Sequence, residues 1–186
     1  MPKPFDHPYD LSWSALNRMK GQAIPLASFH VIRDQVLPMI TGEYQNIILY
    51  WAGRNLAAQF NPSNLDHLIT FFLEMGWGEL ELERDQERHK VFRLTSPFFS
   101  QRQVDKNPAT FALECGFVTE TIALIENREA EGEYQLVQDK QDGLSIQFKV
   151  YLEAKDKSQP VLERQEGTSS PTVGQGQDVP STSLSN

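Results

Sequence analysis

The residues able to do chemistry are few in this chain, and their spacing scatters them. Cys115 is the single cysteine. A thiol attacks as the thiolate, which needs a neighbouring base, a cation or a helix N-terminus to lower its pKa. Cys115 falls inside an expected helix, on its apolar stripe, and reads as inert core. His7, His30, His67 and His89 lie in four separate segments, and no His-x-x-x-His or Cys-x-x-Cys spacing occurs. Asp6, His7 and Asp10 are close in sequence, but nothing nearby would orient them as metal ligands. His67, on an expected helix, reads as a surface histidine rather than a haem ligand. Glu114 and Glu120 fall on different faces of one helix, a poor arrangement for a paired acid and base. No Gly-rich phosphate loop is present. The residues therefore predict no catalytic group, no metal and no cofactor, and the chain is expected not to be an enzyme.

Charge narrows the partners. The net charge of -8 repels a phosphate backbone, and no basic stripe overrides it, so nucleic acid is not expected. An anionic membrane surface is disfavoured for the same reason. The longest apolar run, Ile47 to Ala52, is far too short to span a bilayer. The N-terminus has no apolar signal region, and the lone cysteine suits a reducing compartment, so a cytoplasmic location is expected.

The elements that would position any site follow from the periodicity. Residues 1–24, with Pro2, Pro4 and Pro8, carry no sustained period and are expected to be flexible. Pro25 suits the start of a first helix bearing Phe29, Ile32, Val36 and Leu37 at helical spacing. Pro38 is expected to kink or end it. A second helix runs from about Glu43 to Phe60, up to the break at Asn61-Pro62. Its stretch Ile47 to Ala52 is apolar all round, as in a helix central to a core or one lining a cavity or subunit contact. A third helix starts at the N-cap Asn64 and closes at Gly76, the expected left-handed cap. The period then changes to two. Leu80 and Leu82 alternate with glutamates, and Val91, Phe92 and Leu94 follow, giving a hairpin. Residues 96–109 read as a loop with an exposed or pocket-facing Phe98-Phe99 pair. Thr110 opens a fourth helix with Phe111, Cys115, Val118 and Ile122 on one stripe. Ala112 and Gly116, one turn apart, would let another backbone approach closely. Tyr134 to Val137 and Leu144 to Leu152 form a second hairpin turning at Asp142-Gly143. From Ala154 the chain is rich in Ser, Thr, Gln, Gly and Pro, and 154–186 is expected to be a disordered tail. The order ααα-ββ-α-ββ predicts an α+β domain over 25–153, an antiparallel twisted sheet with helices packed on one face.

That order carries particular words. The run from Tyr50-Trp51-Ala52-Gly53-Arg54 to Ala57, the run Glu74-Met75-Gly76-Trp77-Gly78-Glu79-Leu80, and Glu114-Cys115-Gly116-Phe117-Val118 resemble the YslB-like family, a small bacterial domain of unknown function. The resemblance covers roughly residues 28–153. That family is in turn similar in fold to the ligand-binding domain of four-vinyl-reductase-type proteins and small TRAPP tethering subunits. The resemblance implies helices on one face of a twisted sheet, an acyl or hydrocarbon channel in some members, and pairing through early helices in many. The clustered cysteines of some relatives, and the early-helix cysteine of acylated ones, are missing here, so neither a metal nor covalent acylation is carried over.

Two functions compete on this reading. One is a homodimeric interaction or adaptor domain, with the first two helices as interface. The other is a binding module holding a small hydrophobic molecule in an internal channel. The residues that would serve either are Ile47, Tyr50, Trp51, Arg54, Phe72, Phe98, Phe111 and Phe117. Arg54, charged within the apolar helix, would pair with a carboxylate across the interface or meet a ligand's carboxylate head.

Overall fold

The computed structural model describes residues 25–99, 110–139 and 143–154. The expected flexible segment 1–24, the expected tail from residue 155, residues 100–109 of the loop and Asp142 of the turn lie outside the described residues.

The first helix is longer than its proline suggests. Leu26–His30 is α-helical, Val31–Val36 widens to a π-helix, and Leu37–Thr41 returns to α; together they are α1. Of the two outcomes expected at Pro38, a kink or an end, the end does not occur. A proline ring crowds the carbonyl four residues earlier and offers no N–H. Here the ladder has already shifted to wider spacing, with the Leu37 N–H on the Ile32 carbonyl, so the loosened turn accommodates the ring. A 3-10 turn, Gly42–Tyr44, leads into α2, Gln45–Phe60, which ends where Asn61 turns left-handed.

The third helix, α3, Leu65–Glu74, carries the caps its sequence announces. The Asn64 side chain accepts the His67 N–H at 2.9 Å. At the other end Gly76 has φ +65°, the Gly76 N–H bonds the Leu73 carbonyl and the Trp77 N–H bonds that of Phe72. This paired closure is sealed by contact between the Trp77 and Phe72 rings.

The sheet comprises β1 Glu79–Gln86, β2 His89–Thr95, β3 Ala130–Asp139 and β4 Gly143–Leu152, in the order β1-β2-β4-β3, with every pairing antiparallel. Leu82, Phe92, Phe148 and Tyr134 form one row across it, and Leu80, Leu94, Ile146 and Leu136 another. The opposite face is polar. Arg93 donates to Glu83 at 2.5 Å, Gln147 to the same carboxylate at 2.9 Å, and Gln135 to Gln147 at 2.8 Å. Helices therefore cover one face, and the fold is α+β.

The fourth helix, α4, Ala112–Glu126, lies between α2 and the sheet. It is the enclosed element, buried from Ala112 through Ile122 at nearly every position, whereas α2 buries only Leu49, Gly53, Ala57 and Phe60. The central place that its composition suggests for α2 belongs to α4. Both helices are apolar, and only the one with neighbours on two sides is sheathed. Their crossing is very close. A Cβ added at Gly53 would collide with the Leu113 carbonyl, and one added at Gly116 with that of Tyr50. Gly116 thus fills the role expected of it. On the other side of α4, a Cβ at Gly132 would collide with the Thr119 hydroxyl.

Gly53→Ala should lower the unfolding free energy by about 3 kcal/mol, since two backbones must part to admit one methyl. Gly76→Ala, where nothing is within 4 Å and only the positive φ is at stake, should cost about 1 kcal/mol. Urea denaturation of both variants measures the difference, and equal losses would refute the close crossing.

Candidate functional site

The eight residues singled out from the sequence separate into two groups. Phe72, Phe111 and Phe117 are fully buried. Phe117 stacks on Phe71 at 4.3 Å between ring centroids and meets Phe72 and Trp77 edge-on. Phe111 packs edge-on against Phe99. Phe98 is exposed and Phe99 is buried, so the loop pair splits between solvent and core. Phe98 stands at the lip of a cavity of about 20 Å³ that Phe29, Arg33, Trp77 and Glu114 also line. That is the space of roughly one water molecule.

The α2 residues lie apart from these rings. Ile47 and Trp51 are 62% and 55% exposed, and Ile48 is exposed beside them. Tyr50 is half-buried, and its hydroxyl accepts the Gly132 N–H at 3.1 Å. Burial, chiefly, pushes its phenol pKa up. Arg54 finds its carboxylate within the chain. Its Nε donates to Glu120 of α4 at 2.7 Å, and Glu131 lies 3.7 Å away. Burial, the largest single influence, opposes the guanidinium charge, but the hydrogen bond and charge of Glu120 together with Tyr50 and Glu131 raise the pKa. Arg54 thus has a carboxylate on the adjacent helix, because Glu120 sits where α4 crosses α2.

One pair escaped the sequence reading. The Nη2 of Arg33 in α1 donates to both carboxylate oxygens of Glu114 in α4, each at 2.5 Å. Arg33 is 5% exposed and Glu114 1%. The available signal was that each charge interrupts an apolar helix and that their signs are opposite. Among the described side chains of α1, Arg33 is the fully buried one. Phe29 packs beneath its guanidinium, but most of the apolar side chains are outward. Val31, Ile32, Val36, Met39 and Ile40 are all exposed, Met39 by 84% and Ile40 by 75%. The helix is inside-out, with its cation facing the body and its hydrocarbon facing water. Through Tyr44 this run continues in sequence to Ile47, Ile48 and Trp51, so two consecutive helices carry one long series of exposed apolar residues.

The remaining reactive groups are quenched by their surroundings. Cys115 is buried, and desolvation pushes its thiol up to about 12. Lys90, buried at the end of the inner sheet face, pairs with Asp85 and with Glu126 at 3.0 Å. Burial opposes its charge, but these carboxylates raise its pKa. Among the described residues, no group of three or more His, Cys, Asp or Glu side chains is placed to hold a metal ion. Nor is any helix among them long and apolar enough to cross a membrane.

A helix-on-sheet domain with a filled aromatic core and a bare apolar flank is the class that this geometry defines. The chain belongs to the family described as proteins of unknown function, DUF2507, whose model matches residues 26–151. It is 31% identical over 136 residues to the uncharacterized protein YslB of Bacillus subtilis (strain 168), a match spanning 73% of this chain and 91% of that one. Among solved structures it is similar to a vinyl-4-reductase family protein from Methanocaldococcus jannaschii, with a TM-score of 0.51, 16% identity, and 76% and 92% of the two chains covered. That likeness concerns the fold. An oxygen-binding H-NOX domain related to soluble guanylate cyclases is similar at a TM-score of 0.46 and 12% identity, over 79% of each chain.

Removing one member of the buried pair, as in Arg33→Met or Glu114→Leu, should cost about 3–5 kcal/mol, while the double variant should recover most of that loss. A double-mutant cycle from urea denaturation checks this, and additive losses would count against coupling. The thiol has a sign of its own. Its pKa is higher folded than its ordinary value of 9.0, so its contribution is full below about pH 9 and is lost as pH rises toward 12. Reaction of Cys115 with a thiol reagent at pH 8 should therefore wait on unfolding and accelerate with urea. Rapid labelling of the native chain would contradict its burial.

Proposed function

We propose that this chain is a non-catalytic, cytosolic interaction domain that pairs with a second copy of itself through α1 and α2. The inside-out α1 carries this reading. Monomeric proteins rarely leave contiguous apolar patches larger than a few hundred Å² in water, and larger ones mark contact surfaces. A helix with isoleucine and methionine outward and arginine inward gains by burying the outward side against a partner. A copy of the same chain offers an equally apolar face, and a two-fold axis makes one patch its own complement. The quenched thiol and the paired buried charges support the non-catalytic part of the reading. The single, buried cysteine supports a reducing compartment.

The competing reading, an internal hydrophobic channel, would need space between α2, α4 and the sheet. The backbone contact at Gly53 and Gly116 and the stacked rings of Phe71 and Phe117 occupy that region. The solid-cored reading is therefore preferred.

Light scattering at tens of micromolar should give a dimer mass for the native sequence and a monomer for Met39→Glu combined with Ile47→Glu. Both positions are exposed, so the variant should keep its helical circular dichroism. A native monomer at that concentration would refute the self-pairing.

A further inference from the structure

Beside the apolar face, at Trp51, lies an open groove of about 600 Å³, within the size range of ligand sites. Its walls come from three places in the chain. Trp51 and Arg54 are contributed by α2, Arg88 by the β1–β2 turn, and Glu129, Glu131, Tyr151 and Glu153 by the paired ends of β3 and β4. These ends are fastened by main-chain bonds. The Glu153 N–H donates to the Glu129 carbonyl at 2.9 Å and the Leu152 N–H to that of Arg88 at 3.0 Å. Arg128 then ties the turn to the strand end, donating to the carbonyls of Glu87 at 2.6 Å and of Glu153 at 2.7 Å. The groove is thus pre-organised, which reduces the ordering cost of binding.

Its chemistry favours a cation. Two aromatic rings, Trp51 and Tyr151, are about half exposed there. Arg54 is committed to Glu120 and Glu131, which leaves the carboxylates of Glu129 and Glu153 against Arg88. The Arg54 guanidinium lies 5.2 Å from the centre of the Trp51 ring, so this indole already accepts a cation on its face. An anionic ligand would find only Arg88 unengaged by these pairs, and would approach a chain of net charge -8.

We propose that this groove receives an arginine or lysine side chain from a basic peptide segment of a partner protein. The cationic head sits against the Trp51 and Tyr151 rings, ringed by the Glu129 and Glu153 carboxylates. The site is separate from the self-pairing surface in its chemistry and shares with it only Trp51.

Fluorescence anisotropy of a labelled Gly-Arg-Gly-Arg peptide, titrated with the full chain, tests this. Binding should saturate and should weaken about tenfold in Glu129→Gln/Glu153→Gln. It should be unchanged in Glu79→Gln/Glu81→Gln, which removes the same charge from the far edge of the sheet. Equal weakening in both double variants would reveal diffuse attraction and overturn the proposal. So would the absence of saturable binding, or preference for a Gly-Glu-Gly-Glu peptide. The Met39→Glu/Ile47→Glu variant separates the two readings. Peptide binding that survives in a chain found to be monomeric upholds the groove whatever becomes of the dimer.

Discussion

The crossing of α2 over α4 at Gly53 and Gly116 is the contact from which the rest of the structure follows. Neither position has room for a side chain, because each faces a carbonyl of the other helix. With α2 pressed so closely on one side and the sheet on the other, α4 becomes a middle layer. Its polar positions are then buried along with its apolar ones. Thr119 turns its hydroxyl onto the Cys115 carbonyl at 2.7 Å. Glu114 cannot be satisfied locally, since a buried carboxylate needs a cation. Arg33 supplies it, and α1 must face inward at Arg33. Its isoleucines and methionine are thereby left outside. The exposed apolar face is thus a consequence of a helix crossing on the far side of the same layer.

Much of this was legible in the residues, and the division is physical. Local rules act over a few residues, and they held. Asn64 caps, Gly76 turns left-handed, Gly143 has a positive φ at the second turn, and the period changes from helix to strand between Trp77 and Leu80. Which of two apolar helices lies in the middle is not a local property. Ile47, Ile48 and Trp51 look as suited to a core as Phe117, Val118 and Ile122 do. The difference is set by which helix has neighbours on both sides. Whether Pro38 kinks or ends its helix is not local either, since its effect depends on the hydrogen-bond spacing of the turn before it.

The Arg33–Glu114 pair shows how specificity and stability part company. Taking two charges from water costs several kcal/mol each, and their attraction in the interior roughly offsets this when the geometry is good. A leucine and a methionine there would hold α1 about as firmly, but with a weaker preference for one rotational setting. The hydrogen-bonded ion pair instead selects the orientation that presents Val36, Met39 and Ile40 to the outside. The π-helical stretch contains Arg33 and Val36, so the widened turn falls where this orientation is set.

The edges of the sheet bear on the proposed self-pairing. An exposed edge strand is the usual route by which β-structure recruits another chain. Here β1 carries Glu79, Glu81, Glu83, Arg84 and Asp85, with a register shift between Leu82 and Arg84 that spoils a flat edge. At the other edge β3 carries Glu131 and Glu133, and its Gly132 N–H is already taken by the Tyr50 hydroxyl. A second copy approaching either edge would bring carboxylates against carboxylates, in a chain that is acidic as a whole. The face formed by α1 and α2 has the opposite character, with Met39, Ile40, Ile47 and Trp51 outermost and the charges of Arg33 and Arg54 turned inward to α4. In the proposed self-pairing, carboxylates at both edges and an apolar flank restrict how two copies would meet, and a closed pair rather than an extending chain would satisfy that restriction.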